Sequence, residues 1–285
     1  MVKNNTDQQE LEMKETPQQF SNYLIKALSR PPKSKENSYL YRYTKIKYLI
    51  NTINSGYMRL GSCDSMNDPF ETAILKQHGL LNRLFYACFT KASESLAMYK
   101  LYGVDRDSVI FKISYADLER VITSNNAAND HEKYAPGHSF KVLQGNEETN
   151  RFVDGKLYCT AIGYVDPLEK TIRSGSKENN NIASPFMQLE LAGKLKYNCW
   201  EYENEIRLCG EVMQNLQENE CLAVKLPEEF VNMISVTLCP GFDREKNKDF
   251  LMTLRFNGIL YSQSIYDPLY SDILGIKEEV ALENI

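Results

Sequence analysis

Between Trp200, the only tryptophan of the chain, and Leu208 the sequence runs Trp-Glu-Tyr-Glu-Asn-Glu-Ile-Arg-Leu. Glu201, Glu203 and Glu205 stand at a spacing of two, and Arg207 follows at the same spacing. In a strand, alternate side chains share a face, so the spacing predicts all four charges on one side. Three acids on one strand face repel one another unless a cation, a metal or a ligand sits among them. The fold must therefore bring compensating groups to this stretch.

Around it the chain offers short elements. Tyr39 to Tyr43 alternates like a strand, Thr44 is placed to cap a helix, and Ile46, Leu49, Ile50 and Ile53 recur at helical spacing up to the stop at Asn54-Ser55-Gly56. Tyr57 to Leu60 reads as a second strand. Gly61 to Glu71 reads as a loop in which Asn67 and Asp68 turn the backbone and Pro69 fixes the exit. Further strands are expected at 84–89, 109–113, 157–165, 220–226, 231–238 and 259–264. Helices are expected at 95–102, 115–124, 185–195 and 243–256, with Phe186 and Leu189 inward in the third, and Pro227 opens a short one. Asn125 to Asn150 reads as a polar insertion or long loop, and 166–181 as a mobile polar loop. Strands and helices do not alternate regularly. The expected class is α+β, a mostly antiparallel sheet with flanking helices. Residues 1–38 form a polar extension with a short amphipathic helix over Phe20 to Leu28, and residues 39–285 a single domain.

The totals narrow the partners. A chain of 285 residues buries a sizeable core. Eighteen tyrosines imply a core edged with polar clefts, because buried hydroxyls need partners. A net charge of −5 argues against an extended basic surface for nucleic acid. No run of 18 apolar residues is present, so no membrane span is expected, and the first ten residues hold no apolar signal core. Seven cysteines without a C-x-x-C pair read as reduced thiols of a cytoplasmic protein. His78, His131 and His138 show no zinc-finger spacing, so no metal site is expected.

Several motifs together resemble a bacterial family of unknown function that is often met near phage-defence genes. Its F-N-D-P-F-[DE] motif is matched by Met66-Asn67-Asp68-Pro69-Phe70-Glu71, and its C-F-S segment by Cys88-Phe89-Thr90. Its M-W-x-x-Y segment corresponds to Met98 to Tyr102, and its W-x-Y-E-x-E-x-R motif to Trp200 to Arg207. The resemblance spans roughly residues 39–265. The sequence departs from the family at three positions: Met66 stands where the family carries Phe, Tyr99 where it carries Trp, and Ile206 where it carries an aromatic residue.

The outline is also similar to ADP-ribosyltransferases, in which an early strand presents a His or Arg that positions NAD and a late strand presents a glutamate. That likeness implies Arg42, Glu203 and Glu205 as catalytic candidates. Tyr41, Tyr43, Thr44, Tyr57, Asn67, Asp68, Glu71 and Arg207 are the ligand-binding candidates. A glutamate on the nicotinamide ribose stabilises the charge that builds as nicotinamide leaves, arginine forks pair with the diphosphate, and tyrosine faces stack on the ring. The implied cofactor is NAD, with a nucleotide or a macromolecule as partner, in phage defence or as a toxin. Three alternatives stay open. Arg42 forms a structural ion pair with a glutamate. Asp68, Glu71, Glu203 and Glu205 hold Mg²⁺ in a nuclease with Lys194 or Lys196 beside them. Or the motifs pack into a non-catalytic sensor or scaffold, with Trp200 in the core.

Overall fold

The computed structural model describes residues 38–63, 66, 68–102, 106–127, 138–145, 147–165, 189 and 192–267. The N-terminal extension with its expected helix, the loop at 166–181, Phe186 and Asn67 lie outside them.

Ten strands make one sheet. They are β1 (Tyr39–Lys45), β2 (Tyr57–Ser62), β3 (Leu84–Thr90), β4 (Ser108–Ser114), β5 (His138–Gln144), β6 (Glu147–Ala161), β9 (Glu205–Val212), β10 (Glu220–Lys225), β11 (Ile234–Leu238) and β12 (Leu260–Gln263). Two short strands, β7 (Gly163–Val165) and β8 (Leu195–Tyr197), pair separately in parallel. The helices are α1 (Ile46–Ser55), α2 (Pro69–Gln77), α3 (Leu96–Tyr102), α4 (Tyr115–Ala127), α5 (Phe230–Met233) and α6 (Lys248–Phe256). Every pairing of the large sheet is antiparallel except β11 with β12, so the class is α+β and mostly antiparallel.

The strand order is β12-β11-β4-β1-β3-β2-β10-β5-β6-β9, and β3 also pairs with β9 along its whole length. That pairing closes β3, β2, β10, β5, β6 and β9 into a barrel, and β1, β4, β11 and β12 extend from it as a wing. The two parts part company on one edge of β3. Its first half pairs with β2 at Phe85 and Tyr86, and its last residue, Thr90, pairs with Tyr41 of β1.

Alternation along the barrel strands separates two environments. Leu60, Phe85, Ala87, Phe140, Val153, Ile206, Leu208 and Leu222 belong to the main core. Glycine is required at Gly210, where a Cβ would stand 2.8 Å from Leu60 Cδ1 and 3.0 Å from Leu222 Cδ1. The opposite faces of β3 and β9 carry Leu84, Tyr86 and Cys88 beside Glu205, Arg207 and Cys209. Ile74 and Leu75 of α2, with Ala192 and Leu195, pack against that outer face as a second cluster.

Five expectations fail locally. Trp200 to Arg207 is not one strand. Residues Asn198–Glu203 form a 3₁₀ turn, and Asn204 takes a left-handed conformation with φ 42°, which ends it; asparagine tolerates that region better than most residues. The stretch at 61–71 does not stay a loop, because Pro69 supplies a preset φ at the first helical position and Thr72 N–H donates to the Asp68 carbonyl. The stretch 125–150 contains β5 and the start of β6, with Gly145 at φ 63° in the turn. Thr44 caps nothing: β1 runs through Lys45, and α1 begins without a side-chain cap. The expected helix at 185–195 also ends differently, since Leu195 is in β8 and Leu189 is exposed.

Candidate functional site

The outer face of β3 and β9 carries a buried ionic network. Arg207, with no exposed surface, spends all five of its N–H groups. Nε donates to Glu205 Oε1 at 2.8 Å and Nη2 to Glu205 Oε2 at 3.0 Å. Nη2 also donates to Glu71 Oε2 at 2.9 Å, and Nη1 reaches Glu71 Oε1 and the Gly193 carbonyl. Gly193 has φ 72°, and a Cβ there would collide with the Tyr86 hydroxyl, so glycine lets the chain present that carbonyl. The guanidinium carbon lies 4.6 Å from the Tyr86 ring centroid.

Lys196 links this pair to Glu203. Its Nζ lies 2.6 Å from Glu203 Oε2 and 2.9 Å from Glu205 Oε2. The other Glu203 oxygen accepts the Tyr102 hydroxyl at 2.6 Å. The ring of half-buried Trp200 lies 5.4 Å from Lys196 Nζ, so the single tryptophan flanks the ammonium and does not fill the core. Glu201 is exposed. The acid alternation therefore resolves into two buried carboxylates sharing one lysine and a third acid in solvent.

Burial raises the Glu205 carboxyl, but the charge and hydrogen bonds of Arg207, then Lys196, overcome it and hold the group at about 2. For Lys196, burial lowers the ammonium, yet Glu205 and Glu203 keep it above its usual value. Burial pushes the Cys88 thiol, hydrogen-bonded to Glu205, well up. The Tyr164 hydroxyl, which accepts the Glu205 backbone N–H at 2.8 Å, is pushed up to about 12, chiefly by burial.

A cavity of about 300 Å³ opens beside the network, where β1 and β2 diverge along β3. Tyr41 and Tyr43 of β1 form one wall, and Met98, Leu101 and Tyr102 of α3 another. Cys88, Phe89 and Thr90 of β3 lie between them, while Lys196, Glu203 and Glu205 add its charged groups. The expected site residues divide accordingly. Glu203, Glu205, Tyr41 and Tyr43 line the cavity. Glu71 and Arg207 support it from behind. Asp68 is buried just before α2, and its side chain is not on the cavity. Tyr57 pairs across to Lys225 on the barrel, with Lys141 Nζ 4.9 Å from its ring centroid, and Thr44 pairs with Val109 in the wing. Neither is on the cavity wall.

Arg42 stands out. It alternates with Tyr41 and Tyr43, and its guanidinium lies 5.8 Å from the Phe89 ring centroid. Its Nη1 is buried without a hydrogen-bond partner, and burial lowers its pKa. Among the described residues no carboxylate pairs with it, so the expected Arg42–glutamate ion pair does not form. Tyr102 and Cys88 were not read from the sequence as site residues. The only signal for Tyr102 was its place in the Met98–Tyr102 motif.

The acids proposed for Mg²⁺ are split among these cations. Among the described residues no three His, Cys, Asp or Glu side chains are grouped as metal ligands. The Tyr86 hydroxyl is buried without a hydrogen-bond partner. Tyr86→Phe should therefore change unfolding free energy by no more than about 1 kcal/mol in urea titration, because no bond is lost and one desolvated group is removed.

No protein-family model and no curated protein matches the chain. Among solved structures, DarT of Thermus sp. 2.9 in complex with NAD+ aligns at 11% identity and a TM-score of 0.34, covering 81% of this chain and 98% of that one. The same protein in complex with ADP-ribosylated ssDNA aligns at 11% identity and a TM-score of 0.34, covering 85% and 100%. At such scores a shared fold is not established. Among the described residues, no helix is long and apolar enough to cross a membrane.

Proposed function

We propose that this chain is an NAD-using enzyme of the ADP-ribosyltransferase type and that the cavity beside Glu203 and Glu205 is its reaction centre. The carrying observation is the charge balance at the cavity. Glu71, Glu203 and Glu205 supply three negative charges, and Arg207 and Lys196 two positive ones. The buried guanidinium of Arg42 lies against Phe89, off the cavity wall, so within the network itself one negative charge is in excess. Such a charge favours a ligand that is cationic or becomes so as it reacts. The tyrosine walls suit a flat cationic ring such as the pyridinium of NAD+.

The reaction that fits is cleavage of the bond between the nicotinamide nitrogen and ribose C1′. Nicotinamide leaves with the bonding pair and becomes neutral, while positive charge builds on the ribosyl carbon. An acceptor nucleophile then bonds to C1′ and releases a proton. A carboxylate accepting a ribose hydroxyl is well placed to stabilise that charge. The fixed Arg207 network holds it in place without reorganisation.

The cavity is at the small end of ligand sites and suits the nicotinamide and its ribose, not a whole dinucleotide. Among the described residues Lys196 is the only cation on its wall, and it is committed to the glutamates. The diphosphate would thus lie outside, and neither Arg42 nor Arg207 serves it. Phage defence or a toxin system is the setting we propose, on the motif resemblance alone.

Calorimetric titration tests the reading. NAD+ should bind with a Kd below about 1 mM, in the range of ordinary enzyme substrates, and be cleaved slowly to nicotinamide. If NAD+, ADP-ribose and nicotinamide all fail to bind at that concentration, the proposal is wrong.

A further inference from the structure

We infer that Lys196 is a positioning residue whose single ammonium holds the carboxyl groups of Glu203 and Glu205 together at the cavity. Two buried carboxylates that meet at one site repel, and without a cation between them one is driven to take up a proton. Lys196 is that cation, at 2.6 Å from Glu203 and 2.9 Å from Glu205. Only 5% of its surface is exposed, so water does not replace it.

The groups that face the pair leave no substitute. Arg207, from β9, has every N–H engaged on Glu205, Glu71 and the Gly193 carbonyl. Glu71, from α2, adds negative charge behind Arg207. Tyr102, from α3, donates a neutral hydrogen bond to Glu203. Tyr164, from β7, meets the backbone of Glu205, and Cys88, from β3, meets its side chain. Tyr202 and Cys199 sit on the exposed side of the turn. Among the described residues Lys196 is thus the one cation on Glu203, and Trp200 flanks it.

The kinetic arm of the test rests on the transferase reading, and the spectroscopic arm does not. Protein carrying ¹³C-labelled glutamate carboxyls is titrated by NMR between pH 5 and 9 as wild type, Lys196→Met and Lys196→Arg. NAD+ cleavage is followed over the same range. In Lys196→Met one carboxyl of the pair should take up a proton with a midpoint at least about two units above the usual glutamate value. The wild type and Lys196→Arg should show no such titration. Because the ionised form is the working one, activity is lost as pH falls through the raised midpoint. Lys196→Met should therefore lose at least about fourfold more activity at pH 6 than at pH 9, and Lys196→Arg should restore the flat profile.

Identical carboxyl titrations in folded wild type and Lys196→Met overturn the inference, whether or not NAD+ is cleaved. If Lys196→Met does not fold, Lys196→Met with Glu203→Gln is examined. Recovery of the fold supports the inference, because one carboxylate needs no bridging cation. A double variant that stays unfolded assigns Lys196 to packing and overturns it.

Discussion

Arg207→Met is expected to lower the melting temperature by on the order of 10 °C. Arg207 is fully buried, and its removal strands Glu71, at 1% exposure, and Glu205, at 5%. Breaking a buried ion pair from one side costs about 3–5 kcal/mol, because the orphaned charge has no water to return to. In a domain of this size 1 kcal/mol moves the melting temperature by roughly 2–4 °C. Arg207→Lys should recover only part of the loss, since an ammonium has three donors where the site uses five. Adding Glu71→Gln and Glu205→Gln to Arg207→Met should recover most of it, since no charge is then left unpaired.

The same network predicts the acid limb of stability. The Glu205 carboxyl is held at about 2 in the folded chain against 4.5 when unperturbed. A depressed folded value means the stabilisation is present above the unfolded value and is lost as pH falls from about 4.5 to about 2. It amounts to about 3 kcal/mol. Unfolding free energies measured between pH 6 and 2 should fall over that window in the wild type, and much less in Glu205→Gln. An unchanged denaturation midpoint in Arg207→Met would show that the network contributes nothing to folding.

Fold class was legible because the main-core strands advertise themselves. Val109 to Ile113 and Leu84 to Phe89 are short, apolar and bounded by polar residues, and tertiary packing agreed with them. The hairpin of β5 and β6 was hidden. Its inward residues, Phe140, Val142 and Val153, are separated by polar side chains on the outer face, and its turn is built on Gly145. Barrel closure was not legible at all, because the pairing of β3 with β9 joins residues more than a hundred positions apart.

The site was half legible. The acidic alternation announced a need for cations, and Glu205 with Arg207 satisfied it on one strand face as expected. Asn204 broke the strand just before Glu205, so Glu203 reaches the same lysine from a turn. Sequence spacing carries no trace of that rescue. In the opening strand Tyr41, Arg42 and Tyr43 are all site candidates in the sequence, but the alternation of a strand turns the tyrosines, and not Arg42, toward the cavity.

Glu203→Gln and Glu205→Gln should separate catalysis from folding. Both oxygens of Glu205 are occupied by Arg207, with Lys196 and Cys88 added. Its neutralisation leaves a buried guanidinium short of one counter-charge, so Glu205→Gln should lose about 3 kcal/mol of stability along with any activity. Glu203 is tied differently. One oxygen takes Lys196, and the other takes only the hydroxyl of Tyr102, itself on the cavity wall. A ribose hydroxyl can take the place of that tyrosine without dismantling the Arg207 network. Glu203→Gln keeps the shape of the side chain and removes the charge that a ribosyl cation needs. NAD+ cleavage should drop on the order of 100- to 1,000-fold, while unfolding free energy changes by about 1 kcal/mol. Nicotinamide release by folded protein, compared with urea denaturation of the same samples, measures both. If Glu203→Gln cleaves NAD+ at the wild-type rate while a folded Glu205→Gln does not, the reacting carboxylate is Glu205, and Glu203 serves only to hold Lys196 in place.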